Sequence, residues 1–170
     1  VQRGWSSMPE QNALRRQQHY QFWIRPVANE NAAFSLKLAM SELEAFIDKG
    51  LDEDEFTRTK SYLLGNIPLM AQEPGRRLLF ELDAKATGTP NLITDLPAKL
   101  ETLTLEEVNA AIARHIRSDS LRIVAVSGDA KPLFQQLTEE MTTPIVYADI
   151  QPDEPSKKRD EAIAKKDLTI

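Results

Sequence analysis

The sequence predicts an α+β fold, a layer of helices packed against a sheet. Three observations carry that expectation. Leu121-Arg122-Ile123-Val124-Ala125-Val126 is dense in β-branched residues and reads as the strongest strand in the chain. Several segments place apolar residues three and four positions apart, the spacing of an amphipathic helix. The elements then run strand, several helices, strand, helix, strand.

Tyr20-Gln21-Phe22-Trp23-Ile24-Arg25-Pro26 alternates loosely and is rich in aromatic residues, so it reads as a strand ended by proline. Asn29 to Lys49 reads as a helix with Leu36, Met40, Leu43 and Ile47 on one face, and Gly50 supplies a left-handed stop. The next helix opens at Asp52, with Glu55 three residues on as in a capping box. Its acidic first turn suits the positive end of the helix dipole. Phe56, Leu63 and Ile67 continue along it, and Pro68 should kink or end it.

Arg76 to Ala86 looks helical, with Leu78, Leu79 and Leu82 expected to face inward and Gly88-Thr89-Pro90 as the stop. A short helix is expected near Asn91 to Leu100. Thr104-Leu105-Glu106-Glu107 forms a second capping box and opens a helix with Val108, Ile112 and Ile116 on one face. After the strand at Leu121, Asp129 is expected to cap a helix over Lys131 to Met141. Pro144 to Ala148 follows as a short strand. The composition changes at Gln151, so residues 1–150 read as the domain and 151–170 as an extended charged tail.

The composition restricts function. The chain has 170 residues, with 41% hydrophobic and 28% charged, the balance of a globular protein rather than a disordered one. No apolar run approaches the roughly 20 residues needed to span a bilayer. The net charge of −5 argues against a general nucleic-acid binder, which needs cations to neutralise phosphates. The short basic clusters Arg15-Arg16 and Lys157-Lys158-Arg159 read as solvated surface. There is no cysteine, which removes disulfides, thiolate zinc sites and cysteine nucleophiles together. That absence suits a periplasmic or other exported bacterial protein as well as a cytosolic one. The chain begins at Val1 without a signal-peptide pattern and reads as a fragment or processed piece.

The sequence offers no complete active site. The two histidines, His19 and His115, lie far apart, so neither H-E-x-x-H nor H-x-x-E-H is present. Only a site assembled in space from both histidines and a distant acid stays open. No G-x-S-x-G elbow occurs, and Ser6 and Ser7 have no histidine beside them. The six glycines form no phosphate loop. The acidic pairs fall at helix ends, where capping and solvation explain them. Trp5, Tyr20, Phe22 and Trp23 cluster near the front, either as a peptide-contacting wall or partly as core.

The order of motifs resembles the pitrilysin/insulinase peptidases. Arg3-Gly4-Trp5-Ser6-Ser7 is similar to that family's R-G-(L/W)-(A/S)-Y segment, and Tyr20 to Ala28 resembles the strand that follows it. Lys49-Gly50-Leu51-Asp52-Glu53-Asp54-Glu55-Phe56 resembles the family's joint between two helices, and Lys60 to Gly65 its continuation. Leu103 to Ala111 is similar to its V-T-x-E-x-(V/A)-x-x-A helix start, and Leu121 to Asp129 to its final strand.

The resemblance implies an antiparallel-rich sheet with helices on one face, its first part lying before Val1. It also implies the metal-free, C-terminal type of domain. Such a domain is a non-catalytic scaffold that encloses a peptide beside a homologous zinc-bearing domain or subunit. No cofactor is expected in this chain, and zinc only in that partner. The alternative is an assembly module that has lost proteolysis. One substrate-binding position carries over by motif, at Ser7, where the family has a tyrosine. A serine hydroxyl lacks the reach of a phenol.

Overall fold

The computed structural model describes residues 21–24, 26–139, 141–148 and 151–168. Among them, 63% are helical and no strand or sheet is formed. This corrects the expected α+β fold and its antiparallel-rich sheet. The helices are α1 (Ala32–Lys49), α2 (Glu53–Met70), α3 (Pro74–Thr87), α4 (Leu96–Thr102), α5 (Leu105–His115), α6 (Ala130–Thr138) and α7 (Glu154–Ala164). They belong to two compact units, one of residues Lys49–Ile116 and one of Trp23–Asp48 with residues 117–168.

The first unit is built from well-marked helices. Asp52 accepts from the Glu55 amide at 2.7 Å while Glu55 accepts from the Asp52 amide at 3.2 Å, so the expected capping box opens α2. Thr104 and Glu107 make the same reciprocal pair at α5. The hydrogen bonds that Glu107 receives from Thr104, first the backbone amide and then the hydroxyl, hold its carboxyl below its usual range. Pro68 lies inside α2, which ends two residues later at Met70. Pro74 and Pro97 sit in the first turns of α3 and α4, where a missing amide costs no helical bond. Gly88 ends α3 with φ +68°. Helix α4 packs on α2, where the Lys60 ammonium donates to the carbonyls of Glu101 and Leu103. Ile67, Phe80, Leu100 and Ile112 are the buried apolar residues of this unit.

Helix α3 departs from the sequence reading. Leu78, Leu79 and Leu82 were expected to face inward, yet all three are exposed, and Phe80 is the residue that α3 buries. Phe80 is buried although its helical neighbours Arg76, Arg77 and Asp83 are charged, so spacing alone did not decide which side met a neighbour.

The second unit has a small core of Phe34 from α1 with Ile163 and Ala164 from α7, and Leu38 and Ile145 packed against it. Residues 154–164, read from composition as part of an extended tail, therefore form a helix with a buried side. Asp153 caps it by accepting from the Ser156 amide at 2.9 Å. Asp129 occupies the N-cap of α6, but its side chain makes no capping bond. The expected strands at Leu121–Val126 and Pro144–Ala148 are present as runs without a ladder partner among the described residues. High β-propensity prepares a segment for pairing but cannot supply the second strand.

Candidate functional site

Among the described residues each unit presents a concave surface, and the structure builds the two differently. In the first unit, Gly50 follows the last residue of α1, and its φ of +68° suits a residue without a Cβ. A Cβ there would also lie 2.4 Å from Oδ1 of Asn109. The close approach has a purpose. The Asn109 side chain accepts from the Leu51 amide at 2.8 Å and donates to the Leu51 carbonyl at 3.0 Å. One α5 side chain thus satisfies both backbone groups at the joint that leads into α2.

Beyond this joint, the end of α2 and the start of α3 form an open groove of about 580 Å³. Met70, Leu79 and Phe80 give it an apolar lining, and Glu73 and Arg76 stand at 3.9 Å from each other on it. Leu69, Leu78 and Leu82 extend the apolar character over exposed helix surface. An apolar lining with a few charged groups suits an extended peptide or an apolar side chain.

The second unit carries polar groups that sequence reading missed. Lys37 is only 2% exposed, and its ammonium donates to the carbonyls of Met141 at 2.8 Å and Ala164 at 3.1 Å. Burial pushes its pKa down, against a smaller opposing pull from Asp167. The hydroxyls of Ser41 and Thr143 are also buried and have no hydrogen-bond partner among the described residues. Nearby in sequence, the Tyr147 phenol donates to the Asp160 carboxylate at 2.5 Å. That bond, with desolvation and the carboxylate charge, raises the phenol to about 12. Tyr147 and Asp160 line a cavity of about 290 Å³ with Pro144, Ile145, Lys157 and Lys165. Its mixed charges select no single ligand class.

The sequence-derived site residues fare as follows. Ser7 lies outside the described residues, as do His19, Trp5, Tyr20 and the Arg15-Arg16 pair. Phe22 and Trp23 are about half exposed. His115 is exposed at the end of α5. Among the described residues no three histidine, aspartate or glutamate side chains gather as a metal-ligand set, and no helix is long and apolar enough to cross a membrane. One signal for Lys37 was present in the sequence: it sits three positions after Phe34 on α1, where the helical period returns to the same side. Nothing in the sequence marked the bond between Asn109 and Leu51.

No protein-family model matches the chain, and neither does any curated protein or any solved structure.

Proposed function

We propose that this chain is a non-catalytic, peptide-holding scaffold that works beside a separate zinc-bearing domain of the H-x-x-E-H kind. The observation that carries the reading is the open groove at the α2–α3 turn, lined by Met70, Leu79 and Phe80 with Glu73 and Arg76 beside them. The ordered sequence motifs add the peptidase context. Two of them, the joint at Gly50 to Phe56 and the helix start at Leu103 to Ala111, meet through Asn109 and Leu51. The helical architecture differs from the layered sheet of the resembled family, so the proposal rests on motif order and on the groove. In the assembled protein a zinc-activated water would hydrolyse the peptide bond with a glutamate as base, both supplied by the partner.

The test measures zinc content, peptide binding and hydrolysis for the chain alone and with an H-x-x-E-H subunit added. The chain alone is expected to bind short apolar peptides without turnover, and Leu79→Glu is expected to weaken that binding about tenfold by placing a charge in the groove. Stoichiometric zinc with turnover by the isolated chain would sink the reading.

A second reading, an assembly module without proteolysis, is favoured by the apolar surface that Leu69, Leu78 and Leu82 expose. It predicts stable binding of the added subunit and no hydrolysis by the pair.

A further inference from the structure

Phe34, Lys37, Leu38 and Ser41 recur along α1 at the spacing that stacks side chains on one side of a helix. Phe34 and Leu38 of that side meet Ala164 of α7 in the small core. The Ala164 carbonyl accepts from the Lys37 ammonium at 3.1 Å and from the Thr143 amide at 3.0 Å. Lys37 and Thr143 are therefore drawn to one point, with Ser41 one turn further along α1. The charge there is uncompensated. Lys37 is 2% exposed, and its two acceptors, the carbonyls of Met141 and Ala164, are neutral. Asp167 pulls on it from an exposed position and makes no ion pair with it. A buried ammonium ordinarily has an anion beside it. It also has three donors, of which the carbonyls engage two. The Ser41 and Thr143 hydroxyls add two more donors, buried and without a partner among the described residues.

We infer that the Lys37 ammonium and the hydroxyls of Ser41 and Thr143 bind a halide ion, with chloride as the ligand. The cation and the two hydroxyl donors select an anion. A water molecule could serve the hydroxyls but would leave the ammonium charge uncompensated. Enclosure selects a single-atom anion over a carboxylate or phosphate, because none of the three residues lines the α2–α3 groove or the cavity of about 290 Å³. Thr142, Pro144 and Ala164 do line that cavity, so it provides the approach to the cluster. The bound ion ties α1 to the run at Thr143 and, through Lys37, to the end of α7. The inference does not depend on the peptidase reading.

The test compares the full chain in sodium chloride and in sodium gluconate at equal ionic strength. Thermal unfolding is expected at a higher temperature in chloride, with hydrogen exchange locating the added protection in α1 and α7. The chlorine NMR linewidth should broaden saturably with the protein and narrow when bromide competes. Ser41→Ala and Thr143→Val each remove one hydroxyl donor with little change of volume, and each should weaken chloride binding about tenfold. Lys37→Met should abolish it, and the two hydroxyl variants keep the ammonium in place and decide the matter if Lys37→Met does not fold. Equal unfolding temperatures in the two salts, with no broadening, would overturn the inference, since water alone would then serve the hydroxyls. Broadening that persists unchanged in both hydroxyl variants would overturn it too, by placing the chloride elsewhere.

Discussion

The two units reach order by different routes. In the unit of residues Lys49–Ile116, the clearest bonds are local: capping boxes three residues long, prolines in first turns and a left-handed glycine at a helix end. The other unit depends on partners far apart in sequence. Lys37 reaches a carbonyl 104 positions on and another 127 positions on. Phe34 meets Ile163 and Ala164. Local bonds require little loop closure before they form, whereas the distant ones require long loops to close first. The first unit is therefore written in short motifs, and the second is set by which distant segments come together.

The strongest way to break this comparison is Phe34→Ala. Phe34 is 1% exposed at the centre of the small core, and its removal is expected to cost about 3–5 kcal/mol. Urea unfolding gives the magnitude. Hydrogen exchange gives the location: amides of α1 and α7 should lose protection while those of α2 and α5 retain it. Equal loss in both units would show that they unfold together and remove the distinction.

Gly50→Ala tests the local unit at a long-range contact, the one between Asn109 and Leu51. The left-handed backbone and the approach of Asn109 together predict a loss of about 2 kcal/mol. Asn109→Ala removes the clash along with the two bonds to Leu51, so the double variant should cost less than the sum of the single ones. Strict additivity in thermal or urea unfolding would mean that the Cβ and the amide do not meet.

The smallest effects are read in the pH dependence of the second unit. The Tyr147 phenol is raised to about 12 from 10.0, so its bond to Asp160 contributes stability in full below pH 10 and loses it as the pH rises through about 12. Lys37 acts with the opposite sign. Its pKa lies below 10.5, so the unfolded chain holds the extra proton between the two values, and stability rises with pH there. Ultraviolet titration should show a tyrosine that ionises late, and Tyr147→Phe should abolish that step. A late step that survives Tyr147→Phe would place the perturbed phenol elsewhere.

Much of the local structure was legible in advance. Asp52 with Glu55, Thr104 with Glu107, and Gly50 and Gly88 all stand where their types and spacings placed them, because caps and left-handed stops are decided within a few residues. The candidate site was less legible. Its groove depends on Leu79 being exposed and Phe80 buried, adjacent residues that both read as apolar.

By itself, then, the sequence determined the capped starts of α2 and α5, the left-handed stops at Gly50 and Gly88, and the β-rich character of Leu121–Val126. Tertiary structure alone decided that this β-rich run has no ladder partner among the described residues. It also set which side of α3 is covered, and it seated a lysine beside Phe34 under two carbonyls. The physical reason is the same in each case. Propensity and capping act over one turn of chain, whereas burial and strand pairing need a second surface whose position no single segment encodes.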